Sequence, residues 1–241
     1  MGHDSGEVPT QRFLTRREAL ALIGAAGISA LGCGVPVAAQ GGPGCIARPQ
    51  QTEGPFFVDT GLNRSDIRSD PATGAVAPGL PLQLTFSVSR FGAGGCAPLV
   101  NAHVELWQCD AAGVYSGFRD GGSNAAGQKF LRGYQVTDGS GAARFTTIYP
   151  GWYPGRTVHL HFMIRVGHST LRREEFTSQL YFDDTLTDRV HALAPYASRG
   201  PRTVKNGTDG IYRSGGSQLL IAAREHGPGL AATFDVGLQS G

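Results

Sequence analysis

The chain has 241 residues with a formal net charge of +2, of which 40% are hydrophobic and 17% charged. A balance this near neutrality excludes a dedicated nucleic-acid surface, and no charge block or low-complexity run points to disorder. Glycine (36) and proline (14) are abundant and helical periodicity is scarce, which excludes a helical bundle and predicts short strands joined by turns and long loops.

At the front, Arg12, Arg16 and Arg17 precede an apolar run from Ala19 to Leu31 and then the small-residue stretch VPVAAQ. This pattern predicts a signal peptide over 1–39, and Thr15-Arg16-Arg17 with Leu20 is similar to a twin-arginine export signal. The run falls short of the roughly 20 apolar residues that a bilayer-spanning helix requires, so no stable membrane span is expected in the mature chain. The predicted destination is the periplasm or the extracellular space. Leu31-Gly32-Cys33 offers a weaker alternative, a lipid anchor at Cys33, although Ala30 stands where leucine would be usual.

The linker GGPG at 41–44 opens the expected catalytic domain, 40–241, which is long enough for one substantial core. Export permits disulfides among Cys45, Cys96 and Cys109, and the odd count leaves one thiol over. A Cys45–Cys96 bridge would tie the N-terminal arm to the domain and leave Cys109 buried, with the connectivity open at this stage. The segment LPLQLTFSVS alternates through Leu82, Leu84, Phe86 and Val88, and further short strands are predicted around 103–109, 143–148, 157–165, 178–183, 218–223 and 231–236. Helix is expected only at DTLTDRVHALA, 184–194. The predicted fold is an all-β, two-sheet sandwich.

Two places within these strands carry chemistry. After the strand that contains Val104 and Leu106, the turn from Asp110 to Gly113 delivers Tyr115. Downstream, TIYPGWYPGRTVHLHFMI ends in His159 and His161, whose side chains share one face of a strand while Val158, Leu160, Phe162 and Ile164 take the other. A cupin-like site would want a glutamate near Arg165, and an HxHxD site an aspartate at Met163. Neither pattern is met, and no Cys-x-x-Cys pair exists for structural zinc. If the imidazoles hold a metal, tyrosine is the local partner. The remaining histidines, His3, His103, His168, His191 and His226, read as surface or structural.

Four stretches in order, QTEGPFF (51–57), PLVNAHVELWQCDAAGVYS (98–116), FLRGYQVTDGSGAARFTTIYPGWYPGRTVHLHF (130–162) and TSQLYFDD (177–184), resemble the intradiol ring-cleavage dioxygenases, in particular their short, secreted, single-domain branch. The resemblance implies Fe(3+) held by Tyr115, Tyr153, His159 and His161, with Arg156 and Gln179 acting on the substrate. Tyr149 precedes the Pro-Gly pair that the ligand tyrosine follows, and is expected to pack rather than ligate. The implied reaction opens a catechol-type ring between its hydroxylated carbons, inserts both atoms of O2 and yields a muconate-type diacid, with Tyr153 giving way to substrate. Hard ferric iron suits phenolate oxygen, since coordination can deprotonate a phenol whose free pKa is about 10.

The resemblance leaves the ring substituent open; the loop GPFFVDTGLNRSDI and the segment after Asp184 are the expected pocket walls. The helical segment through which larger catechol dioxygenases dimerise has no counterpart, so no oligomeric state is implied. Two other classes fit parts of the pattern: a secreted transthyretin-like binding module without catalysis, and a different metal at the same four residues.

Overall fold

A computed structural model describes residues 45–120, 123–167 and 174–239. The leader expected over 1–39, with Cys33, lies outside the described residues. Among the described residues there are eleven strands and one α-helix, with three short 3-10 turns between α1 and β10: β1 (Pro81–Gly92), β2 (Gly95–Pro98), β3 (His103–Trp107), β4 (Arg119–Asp120), β5 (Ser123–Asn124), β6 (Arg132–Val136), β7 (Ala142–Ile148), β8 (His159–Val166), β9 (Glu174–Tyr181), α1 (Asp184–His191), β10 (Arg224–His226) and β11 (Gly229–Gln239). One sheet runs β10-β11-β1-β2 with β7 also on β1; the second runs β6-β3-β8-β9, and β4 pairs with β5. This is the predicted two-sheet sandwich.

The core forms where the alternation said it would. Leu82, Leu84, Phe86 and Val88 of β1 are buried against Leu160, Phe162 and Ile164 of β8. Phe162 spans the gap between the sheets, its ring centroid 5.1 Å from Phe86 and 5.6 Å from Phe234 on β11. The Cys45–Cys96 disulfide ties the N-terminal arm to β2 with a Cα separation of 5.9 Å, and Cys109 is a buried free thiol.

Two expectations need correction. The strand predicted over 218–223 is instead a 3-10 turn, Gly216–Leu219, followed by a single bridge from Leu220 to Tyr181. Its alternation is genuine, since Leu219 and Ile221 are buried. That burial is achieved beside the end of β9, and the left-handed Gly215 turns the chain away before a ladder can form. The helix expected over 184–194 ends at His191, because Pro195 disfavours helical geometry in the residue before it. Its start is as predicted: the Asp183 carboxylate accepts from the Thr185 and Leu186 amides.

Strand β8 is buried on both faces, which requires its polar residues to find partners inside the protein. Arg165 does so with Glu105 on neighbouring β3, 2.9 Å away, and with Asp59 and Glu175 at 3.2 Å each. Among the described residues, no helix is long and apolar enough to cross a membrane. Replacing Arg165 by alanine removes the ion pair of the buried Glu105 carboxylate and should lower the unfolding free energy by about 3–5 kcal/mol, read as a fall in the urea midpoint. An unchanged midpoint would remove this pair from the interactions that hold β3 to β8.

Candidate metal centre and active site

Strand pairing assembles the site. In β8, His161 lies opposite Trp107 of β3 on one side and opposite Gln179 of β9 on the other, while His159 lies opposite Tyr181. The cross-strand row Trp107–His161–Gln179 follows from register alone. Trp107 stacks on the His161 ring, with centroids 5.1 Å apart and planes 9° from parallel, and so fixes its orientation.

The two tyrosines arrive from loops that interlock. Asp110 closes the predicted turn by accepting the amides of Ala112 and Val114 on Oδ1, and its backbone carbonyl accepts the amides of Gly113 and Gly151. The Gly151 contact joins the YPGWYPG loop directly to the turn before Tyr115. Gly113, at φ 80°, lies so near Trp152 that a Cβ would sit 2.2 Å from its carbonyl oxygen. Only glycine permits that approach.

Four donor side chains meet here. His159 Nε2 lies 3.0 Å from His161 Nε2 and 3.2 Å from the Tyr153 hydroxyl, and the Tyr115 ring is 5.7 Å from Tyr153 and 6.3 Å from His161. His159 Nδ1 faces the Thr157 carbonyl at 2.6 Å, which places the proton on Nδ1 and leaves Nε2 as a bare acceptor. The single lone pair of Nε2 then faces Tyr153, His161 and, at 3.4 Å, Arg156 Nη1. It can satisfy only one of them well. The Tyr115 hydroxyl and His161 Nδ1 are buried without a hydrogen-bond partner. A cation would turn the crowded Nε2 lone pairs and the orphaned Tyr115 oxygen into ligands, so the donor set fits a metal. Two neutral imidazoles and two phenols are chemically suited to a hard, highly charged ion.

Burial governs the electrostatics. It pushes His159 down to about 3 and His161 well below the usual imidazole value, with Arg156 and the neighbouring ring contributing. Both are therefore neutral at physiological pH, as a ligand must be. Burial also pushes Tyr153 up to about 12, against the pull of Arg156, and raises Tyr115 well above the usual phenol value, helped by the neighbouring Tyr153 oxygen. A metal ion would have to supply the charge that releases these two protons.

Arg156 and Gln179 lie beside the donors. Arg156 Nη2 donates to Gln179 Oε1 at 2.6 Å, and Gln179 Nε2 donates to the Thr52 carbonyl at 2.8 Å, linking the pair to the QTEGPFF segment. Phe56 from that segment stacks on Tyr115 with centroids 4.3 Å apart, and Phe57 packs edge-on to Trp107. This loop therefore packs directly against the donor cluster. Tyr149 is buried away from the donors, bonded to Thr187, in the packing role expected of it. His191 stacks on Tyr196, again structural.

The sequence reading missed two residues. Arg132 is buried with its guanidinium 6.0 Å from the Tyr115 ring and donates to the Ser116 carbonyl, and burial lowers its pKa to about 10. Asp209 is buried and accepts from Arg156 Nε at 2.8 Å. Neither carries a local motif, although an arginine within the apolar stretch FLRGYQV was a detectable anomaly.

A β-sandwich with two imidazoles and two phenols gathered at one end of a sheet defines a class of protein rather than a generic sandwich. Residues 52–197 match the model of a family described as "Dioxygenase". Similar proteins include the protocatechuate 3,4-dioxygenase beta chain of Burkholderia cepacia, 30% identical over 60% of this chain and 60% of that protein. Catechol 1,2-dioxygenase of Acinetobacter baylyi is 36% identical over 52% of this chain and 44% of that protein. Among solved structures, an intradiol ring-cleavage dioxygenase from Tetranychus urticae superposes with a TM-score of 0.69 at 30% identity, covering 81% of this chain and 94% of that one. The chain belongs to the intradiol ring-cleavage dioxygenase family. It spans 60% and 44% of the lengths of the two curated relatives.

The partnerless phenol yields a two-sided prediction. In metal-free protein, Tyr115→Phe removes a buried unsatisfied hydroxyl and should raise stability by about 1 kcal/mol. In metal-loaded protein it should lower stability. Urea midpoints measured with and without chelator check the change of sign, and a loss of stability in both states would show that the hydroxyl has a protein partner.

Proposed function

We propose that this chain is a non-haem iron(III) dioxygenase that opens a catechol-type ring between its two hydroxylated carbons, using O2 and yielding a muconate-type diacid. The observation that carries this reading is the convergence of His159, His161, Tyr153 and the partnerless Tyr115 beside the Arg156–Gln179 pair. Family membership supplies the reaction class, and the sequence motifs supply the same four residues independently of the distances.

Tyr115, Tyr153, His159 and His161 would hold the iron. Bound there, ferric iron would supply Lewis acidity and an acceptor for electron density from a catecholate, making the ring reactive toward O2. Tyr153 is the more exposed phenol, while Tyr115 is buried, so Tyr153 is the residue that can yield its place to a substrate oxygen. Its Oη would be the base for a catechol hydroxyl proton, consistent with a pKa raised to about 12 by burial. Arg156, held against Gln179, faces the donors and offers its cation to negative charge developing on the substrate. Gln179 orients substrate by hydrogen bonding. Phe56, Phe57 and Phe118 pack around Trp107 and Tyr115 and exclude water from the reacting ring.

We read the mature protein as exported by the twin-arginine route, which moves folded proteins and so allows the metal to be inserted before translocation. The Cys45–Cys96 disulfide supports an oxidising destination.

Purified protein should contain about one iron per chain and be coloured by phenolate-to-iron charge transfer. Anaerobic addition of a catechol should shift the colour, and admitting O2 should yield a diacid rather than a semialdehyde. Tyr153→Phe should cut turnover and His161→Ala both turnover and iron retention, each by more than about 100-fold, exceeding the usual effect of residues that merely support a ligand. Wild-type iron content and rate in either variant would overturn the ligand assignment.

A further inference from the structure

The segment 206–212 closes over the loop that carries Arg156, and no motif of the sequence reading pointed to it. It also lies beyond residues 52–197, where the family match ends. Asp209 is central to it: the side chain is fully buried, and Oδ2 accepts from Arg156 Nε at 2.8 Å and from the Thr157 amide at 2.7 Å. Oδ1 accepts the amides of Ile211 and Tyr212 at 2.8 and 2.9 Å. Both oxygens are thus committed to N–H donors, which fixes the carboxylate plane.

The consequences reach the donors along two short paths. Through Nε, Asp209 sets the plane of the Arg156 guanidinium, whose other nitrogens meet Gln179 Oε1 and His159 Nε2. Through Thr157, whose amide it holds, it fixes the peptide unit next to the carbonyl that accepts His159 Nδ1–H. Asn206 seconds this contact: its Oδ1 accepts from the Thr157 hydroxyl at 2.7 Å, and its Nδ2 donates to the Phe182 carbonyl at 2.8 Å. An arginine has several rotatable bonds and would otherwise sample many orientations at the mouth of the site. Asp209 on one side and Gln179 on the other hold it to one.

We propose that Asp209 is a positioning residue for the ring-opening reaction, holding the Arg156 guanidinium against Gln179 and toward the metal-binding edge of His159 from a segment outside the family's matched core. The inference rests on the dioxygenase reading, because Arg156 matters to catalysis only if a substrate develops negative charge beside it. Asparagine at 209 cannot substitute. Whichever way its amide turns, its NH2 faces a pair of N–H donors.

The test combines kinetics with a measurement on metal-free protein. Asp209→Asn should fold, retain iron and keep KM near wild type, while kcat falls about 10- to 100-fold, the scale expected of a misplaced catalytic group. In an Arg156→Gln background the same change should have little further effect, because the group it positions is already gone. If the two losses multiply instead, Asp209 acts other than through Arg156 and the proposal is overturned. In metal-free wild-type protein, the Arg156 Nε–H NMR signal, identified by its absence in Arg156→Gln, should exchange slowly with solvent, and in Asp209→Asn quickly. This wild-type signal decides the matter even if Asp209→Asn does not fold, since rapid exchange in wild type would mean that Asp209 does not hold the guanidinium. A colourless, inactive wild type with a protected Arg156 signal would sink the dioxygenase reading, and the catalytic role with it. A coloured, active wild type whose kcat survives Asp209→Asn would sink this inference alone.

Discussion

Burial of β8 on both of its faces is the constraint from which the rest of the molecule follows. Its even-numbered residues fill the sandwich core, so the strand cannot slip by one without exchanging Phe162 and Ile164 for the imidazoles. That locks His159 and His161 onto the opposite face, under Trp107, Met163 and the Phe56–Phe57 wall. Water is thereby kept from two neutral rings whose Nε2 atoms face one another. The hydrophobic core sets the register, and the register sets the site.

The cost of that arrangement is met by polar groups brought in from a distance. Arg165 compensates Glu105 on the next strand, Asp209 holds Arg156, and Arg132 puts a buried cation near Tyr115. Each is a charge taken out of water, tolerated because it is paired or hydrogen-bonded in place. At the donor cluster itself the compensation is incomplete within the protein, since Tyr115 Oη has no hydrogen-bond partner and one His159 Nε2 lone pair faces three neighbours.

Much of this was legible in the sequence because its signals are local. Alternation through Leu82, Leu84, Phe86 and Val88 specified β1, the short apolar spacing in DTLTDRVHALA specified the start of α1, and the alternation around His159 and His161 specified the strand that carries them. The error at 218–223 has the same root. Alternating burial of Leu219 and Ile221 looks like a strand whether or not a neighbouring edge is available to pair with, and only the position of β9 and the turn at Gly215 decide that.

The sequence by itself determined the sandwich class, through local alternation, and its resemblance to the intradiol ring-cleavage dioxygenases singled out Tyr115, Tyr153, His159 and His161 as candidate donors and Arg156 and Gln179 as candidate catalytic residues. Tertiary structure alone decided that Trp107 would stack on His161, that Gly113 would let one tyrosine loop pass against the other, and that Asp209, 53 positions from Arg156, would hold its guanidinium. The physical reason is that such contacts depend on strand register and loop closure, which are set by the packing of the whole core and leave no periodic trace along the chain.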